Sequence, residues 1–250
     1  MRIVEICDAV APISSPIRNA FIDFSKMTIS VLAIVTDVMR DGEPIIGYGF
    51  HSNGRYAQQG ILRTRLIPRL MEADPADLCD ASGSNLDAHR VWRTFMHNEK
   101  PGGHGDRAVA AGALDMAVWD VIAKIEDKPL WRVLSERYNE GRYDSEIVVY
   151  PGGGYYYPGK EISGLQDEMR GYDADGYQVA KMKIGGADLE TDLARIHGAL
   201  EVLGDGQRLA VDANGKFDLD TAIAYGKALE PLNLFWYEEP GDPLDYALQD

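Results

Sequence analysis

Three short apolar segments between residues 178 and 238 each end on a charged residue: Lys183, Asp212 and Glu238. The ends lie 29 and 26 residues apart, room for one strand, one helix and two loops per interval. Short apolar strands alternating with amphipathic helices form a parallel sheet with right-handed crossovers. The pattern opens with strand Glu146–Tyr150 and helix Glu161–Tyr172. It continues with strand Gln178–Ile184, helix Leu189–Leu203, strand Arg208–Asp212, helix Asp218–Leu229, strand Leu234–Glu238 and a helix start at Leu244. At this pitch a closed eight-unit barrel needs roughly 220 residues, whereas about 105 follow the polar stretch that ends at Ser145. The expectation is therefore about four β/α units, half of an eight-unit barrel, with an open hydrophobic edge.

The preceding residues follow another rule. Ile3–Val10, Ile29–Val38 and Ile45–His51 are rich in β-branched residues, and the turn Arg40-Asp41-Gly42 separates the last two, so an antiparallel meander is expected. Helical spacing then covers Ala57–Met71, Asp87–Asn98 and Arg107–Lys124, and a short helix follows Pro129 over 130–137. The polar stretch Tyr138–Ser145 marks a boundary. The predicted organisation is an α+β domain over 1–140 and a partial α/β barrel over 141–250.

Charge narrows the function classes. With 40 acidic and 25 basic residues the formal charge is −15 and the sequence pI is near 4.7. Such a chain repels phosphate backbones and anionic lipid, which argues against nucleic-acid and membrane-surface roles. Cys7 and Cys79 cannot make a disulfide framework and read as two buried, reduced thiols. The N-terminus lacks a signal-peptide pattern, and the most apolar helix carries Asp115 and Asp120. A cytoplasmic protein is the expectation.

Each charged strand end has a plain reading beside the functional one. Lys181-Met182-Lys183 puts two ammonium groups on one side of a strand, because side chains alternate with period two. An isolated pair of this kind is usually a solvated edge. Here Val179, Ala180, Met182 and Ile184 imply a buried strand, where unpaired lysines are costly. Two close like charges also lower each other's pKa, which suits a base near neutrality. Val211-Asp212-Ala213-Asn214-Gly215 could simply be an Asx turn. Trp236-Tyr237-Glu238-Glu239-Pro240 could be solvated loop charge. Carboxylates at successive strand ends nevertheless converge on one mouth, and hard oxygen ligands there suit Mg²⁺. Gly154-x-x-x-x-Gly159-Lys160 imitates a phosphate loop, but Glu161 replaces the Ser or Thr and the interior Tyr-Tyr-Tyr-Pro is too bulky to cradle phosphate. The histidines have no metal-ligand spacing; His197 reads as a helix-surface residue, and His104 sits in a Gly-rich loop.

The ordered set Ala110 to Asp120 with Lys124 and Pro129-Leu130, then Lys181-Met-Lys183, Val211-Asp-Ala-Asn214 and Trp236-Tyr-Glu-Glu-Pro240, resembles the mandelate racemase/muconate lactonizing branch of the enolase superfamily. Pro16-Ile-Arg-Asn19, Asn53-Gly-Arg-Tyr56, Asn98 to Arg107 and Gly152 to Lys160 are similar to its D-tartrate dehydratase group.

This resemblance implies an α+β capping domain followed by an enolase-type TIM barrel, and a Mg²⁺-dependent hydro-lyase acting on a small hydroxy diacid. A proton leaves the carbon next to a carboxylate, giving an enediolate; a Lys or His base with Mg²⁺ is this superfamily's own device. Loss of the β-hydroxyl would give a keto acid, oxaloacetate if the substrate is tartrate. Lys183 would be the base and Lys181 its partner, contacting the substrate carboxylate. Asp212 and Glu238 would be two of three metal carboxylates. Asn19, Asn53, Lys100 and Tyr157 would bind substrate, although turn formation accounts equally well for either asparagine. The family's third carboxylate ligand and its histidine general acid do not occur within these 250 residues. The chain by itself is therefore expected to be a fragment without dehydratase turnover, and the full-length form a homo-oligomer. Two other readings stay open: another acid-sugar dehydratase or racemase of the branch, and a non-catalytic half-barrel that associates through its open edge.

Overall fold

The computed structural model describes residues 1–13, 15–51, 58–100 and 105–249. Its contacts form two compact units, Met1–Ile13 with Lys26–Ser145 and Ser14–Ser25 with Glu146–Asp250.

The first unit contains an antiparallel sheet in the order β1 (Ile3–Pro12), β2 (Thr28–Arg40), β3 (Glu43–His51). Asp41 and Gly42 both take positive φ in the two-residue loop joining β2 to β3, as a tight hairpin of this twist requires. Along β2, Leu32, Ile34 and Thr36 face the core while Val31 is exposed. The helices are α1 over 58–71, whose middle Leu62–Leu66 is wound as a π turn, α2 (Pro75–Leu78), α3 (Ala88–Phe95), α4 (Asp106–Ile125) and α5 (Leu130–Tyr138). On α4, Ala110, Leu114, Ala117, Val118, Val121 and Ile122 have no exposed surface, so this helix is the centre of the core. It lies directly on β3, because Gly47 and Gly49 offer no Cβ; one at Gly49 would collide with the carbonyl of Ala113. Cys79 is buried, but Cys7 is exposed. The expectation of two buried thiols fails for Cys7, whose register partner on β2 is Ala33, on the strand face opposite Leu32 and Ile34.

The second unit is a parallel sheet in chain order: β4 (Gly152–Gly153), β5 (Ala180–Lys183), β6 (Leu209–Asp212), β7 (Trp236–Glu238). Helices α6 (Ile162–Ala174), α7 (Leu189–Leu203) and α8 (Leu219–Leu229) follow β4, β5 and β6, and a short α9 (Tyr246–Gln249) follows β7. Asp188 and Asp218 cap α7 and α8 by accepting from the amides of Thr191 and Thr221, and Gly204 ends α7 in the left-handed region. Met182, Ile184, Val211, Met169 and Ile196 are fully buried between sheet and helices.

The expected strand Glu146–Tyr150 does not form. Ile147, Val148 and Val149 are 76%, 84% and 54% exposed, and the ladder with β5 starts only at Gly152, opposite Lys181. β-Branched residues favour extended backbone, but a strand also needs a partner at the right register. Among the described residues no helix is long and apolar enough to cross a membrane.

Candidate active site

The charged strand ends lie in one lateral row of the second unit's sheet. Lys183 is the register partner of Asp212, and Asp212 is the register partner of Glu238. Residues in such a row project to the same face. Lys181, two residues before Lys183, projects to that face as well. Lys183 Nζ donates to Asp212 Oδ2 at 2.6 Å. Lys181 Nζ lies 3.2 Å from the same oxygen and donates to Glu238 Oε1 at 2.7 Å. Two lysines and two carboxylates thus form one neutral chain of ion pairs, Lys183–Asp212–Lys181–Glu238.

Burial makes this arrangement consequential. Asp212 is 1% exposed and Lys183 7%. Burial pushes the Asp212 carboxyl up, but Lys183, the amide of Asn214 and the charge of Lys181 outweigh it and hold the group below the usual carboxylate range. For Lys181 burial works against the charge, yet the hydrogen bond to Glu238 and the nearby Asp212 raise its pKa. The expected mutual weakening of two lysines is therefore reversed at Lys181: with one carboxylate present per ammonium, attraction exceeds like-charge repulsion.

Aromatic groups frame the cluster. Lys183 Nζ sits 5.5 Å from the centre of the Tyr155 ring and Lys181 Nζ 5.7 Å from that of Tyr150. Trp236 Nε1 donates to Glu238 Oε2 at 3.1 Å, fixing the second oxygen of that carboxylate. Asn214 has positive φ, donates its amide to Asp212 Oδ1 at 2.8 Å, and has a buried Oδ1 without a hydrogen-bond partner among the described residues. One oxygen of Asp212 orders the turn and the other faces the lysines. Glu239 is exposed, also with positive φ, and its carbonyl accepts from Gly215.

The remaining residues named from sequence are more dispersed. Asn19 belongs to the second unit, where its Oδ1 accepts from the amides of Phe21 and Ile22 at 2.9 and 2.6 Å, a turn-forming role. Tyr157 is half-buried, with Lys160 Nζ 4.5 Å from its ring centre, and burial pushes its hydroxyl pKa up. A cavity of about 440 Å³ lies among Tyr155, Tyr156, Tyr157, Lys160 and Arg195. Lys160 pairs with Glu168 at 2.6 Å, so it is not a free phosphate-binding ammonium. Lys100 is exposed in the first unit, and its carbonyl accepts from Arg107. Asn53 and His104 lie outside the described residues. His197 is exposed on α7. Sequence reading missed Asp192, which is fully buried beneath the Lys183 strand end; the spacing of Asp192 and Arg195 in the first turns of α7 is its one local signal.

A divalent cation can be tested against this geometry. One ammonium contacts both Asp212 and Glu238, so the two carboxylates already converge on a single cationic position. Mg²⁺ commonly uses one or two protein carboxylates and completes its shell with water and substrate oxygens. The donor set fits that habit. Among the described residues no group of three or more His, Cys, Asp or Glu is placed to hold a metal.

Comparison with known proteins adds the following. The family model for the N-terminal domain of mandelate racemase and muconate lactonizing enzyme matches residues 1–135, and the enolase C-terminal domain-like model matches 164–249. A 3,6-anhydro-alpha-L-galactonate cycloisomerase of Streptomyces coelicolor is 30% identical over 233 residues, covering 91% of this chain and 57% of that protein. The L-talarate/galactarate dehydratase of Salmonella typhimurium is 27% identical over 247 residues, covering 97% of this chain and 58% of that protein. A racemase from Streptomyces coelicolor, solved with bound magnesium, superposes with a TM-score of 0.76 at 26% identity, covering 98% of this chain and 64% of that one. The chain thus spans somewhat over half the length of these relatives.

Proposed function

The chain belongs to the mandelate racemase/muconate lactonizing enzyme family of the enolase superfamily, and on that premise we propose that its strand-end cluster removes the proton next to the carboxylate of a hydroxy acid, as the first step of a dehydration. The observation that carries this reading is the convergence of Lys181, Lys183, Asp212 and Glu238 on one face of the parallel sheet. Asp212 and Glu238 would hold Mg²⁺, which as a Lewis acid supplies stabilisation of charge developing on the substrate carboxylate. With those two carboxylates holding the cation, Lys181 and Lys183 would be available to the substrate. Lys183, in its neutral amine form, would accept the proton from carbon and become the ammonium. Lys181 keeps its charge and meets the substrate carboxylate. Tyr155, stacked beside Lys183, excludes water from the proton's path.

The substrate class is inferred from the relatives. Matched relatives include acid-sugar dehydratases and cycloisomerases by name. The sequence resemblance of the segments holding Asn19, Asn53, Lys100 and Tyr157 supports a hydroxy diacid, with tartrate as the first candidate; the whole protein would be a lyase yielding a keto acid. Galactarate and related longer diacids are the next candidates, because the Salmonella relative acts on them by name. The histidine described in the second unit is His197, exposed on α7, so protonation of the leaving hydroxyl is assigned to a group other than those of the described cluster.

The test separates proton removal from dehydration. The purified chain is incubated in D₂O with Mg²⁺ and a panel of tartrates, aldarates and aldonates, and proton NMR follows exchange at the carbon next to the carboxylate. Exchange that needs Mg²⁺ and vanishes in Lys183→Met is the expected result. Absence of exchange with every acid, alongside retained fold, would overturn the proposal. Ring-opened or epimerised products in place of keto acid would favour a cycloisomerase or racemase using the same proton abstraction.

A further inference from the structure

β4 departs from the sheet immediately below the Lys183 carbonyl. Its last ladder pair is Gly153 with Met182, and Gly154 then takes a positive φ while its amide turns to the Glu168 carboxylate. On the opposite side the backbone stays in register, with the amide of Ile184 donating to the Asp212 carbonyl at 3.0 Å. Lys183 is thus held by β6 on one flank and lacks a strand partner on the other.

Arg195 fills that gap from α7. Its Nη1 donates to the Lys183 carbonyl at 3.0 Å, and its Nη2 donates to the Gly154 carbonyl at 2.5 Å. A planar guanidinium suits this task because its donors form a rigid fork, which a lysine ammonium cannot reproduce. The fork is itself immobilised. Its Cζ lies 3.9 Å from the centre of the Tyr156 ring, and Nη1 also donates to Asp192 Oδ1 at 3.0 Å. Asp192 has no exposed surface and accepts from three further donors: Tyr156 OH at 2.6 Å, the Gly185 amide at 2.6 Å and Tyr225 OH at 3.1 Å. Through these bonds one buried carboxylate fixes the arginine, the loop after β5 and a residue of α8. None of these groups reaches the carboxylates Asp212 and Glu238.

We infer that Arg195, locked by Asp192, is a positioning residue that sets where the Lys183 ammonium stands by replacing the missing β4 hydrogen bond at the Lys183 carbonyl. The inference deepens the proposed function and rests on Lys183 being its base. A base displaced by about 1 Å loses about 100-fold in rate. Substrate held by other groups would bind as before.

The test uses Arg195→Lys, with Asp192→Asn as the second variant should the first not fold. Labelling with carbonyl-¹³C lysine and ¹⁵N isoleucine marks the Lys124–Ile125 and Lys183–Ile184 peptides, since these are the two Lys-Ile pairs in the chain. In Arg195→Lys the Lys183–Ile184 signal is expected to move or broaden while Lys124–Ile125 stays fixed. The Mg²⁺-dependent proton-exchange kcat is expected to fall about 100-fold with KM within about threefold of the parent. Added guanidinium, against sodium chloride of equal ionic strength, is expected to restore part of the rate in Arg195→Ala. An unmoved Lys183–Ile184 signal overturns the inference, as does a parental kcat or a loss confined to KM. If the parent chain exchanges no proton with any acid, the function proposal fails, and the carbonyl signals alone decide whether Arg195 holds Lys183.

Discussion

Lys183 and Asp212 are register partners on adjacent parallel strands, and their charged ends meet at 2.6 Å. The proposed base and a proposed metal carboxylate therefore neutralise each other inside a buried site. Removal of Lys183 leaves the buried Asp212 with Lys181, at 3.2 Å, as its remaining cation. Lys183→Met is expected to cut proton exchange by about 10²–10⁴-fold and to cost up to about 3 kcal/mol of stability. The double variant Lys183→Met/Asp212→Leu is expected to regain much of that stability, because it removes both charges. Urea unfolding of the three proteins checks the stability arm; a single variant as stable as the double would refute the coupling.

Cation uptake competes with the internal ion pairs. Mg²⁺ at about 100 times its Kd stabilises the folded state by about 2.7 kcal/mol. Thermal unfolding is expected to rise with Mg²⁺, to return with chelator, and to lose its response in Asp212→Asn and in Glu238→Gln. An unchanged response in both variants would place the ion elsewhere.

Glu99 in the first unit is enclosed by Arg65, Arg69 and Arg107, with 2% of its side chain exposed. Burial opposes its charge, but hydrogen bonds from Arg69, Arg65 and Arg107 prevail and lower its pKa from 4.5 to about 2. A depressed folded-state pKa contributes stability above the unfolded value and loses it as pH falls through the folded one. The parent is therefore expected to lose stability between about pH 4.5 and pH 2 in part through Glu99. Glu99→Gln should be less stable at neutral pH and show a shallower decline across that window. Denaturant midpoints measured at several pH values decide this; parallel pH curves for the two proteins would contradict it.

The contact of α4 with β3 depends on two positions without side chains. Gly49→Ala drives a methyl group into the Ala113 carbonyl, so helix and strand must separate. The expected cost is about 2–3 kcal/mol, at the upper end of overpacking penalties. Gly112→Ala on α4 meets no atom within 4 Å and serves as the control that should not destabilise. Equal midpoints for the two variants would rule out the close-packing explanation.

Periodicity in the sequence was enough to read the meander β1–β3, the boundaries Leu189–Leu203 of α7, and the order of strands and helices in the second unit. These features depend on local rules: β-branched runs, Asp-Gly in a tight turn, and aspartates that cap helices. The same rules placed Lys181, Lys183, Asp212 and Glu238 at strand ends on one face. They failed at Glu146–Tyr150, where extended propensity is real but the hydrogen-bonding partner begins two residues later. They also left Asn19 ambiguous between turn and ligand, and the turn hydrogen bonds are what the fold contains.

What the amino-acid order determined by itself is which residues lie at strand ends, since periods of 2 and 3.6 are properties of the backbone and need no distant contact. Only the tertiary structure decided which charges meet: that Lys181 bridges Asp212 and Glu238, and that Arg195 takes up the carbonyl left bare by β4. Those pairings join positions up to 57 residues apart. They depend on the register of neighbouring strands and the seating of a helix, which follow from burial of the whole core and leave no signature in any short window of sequence.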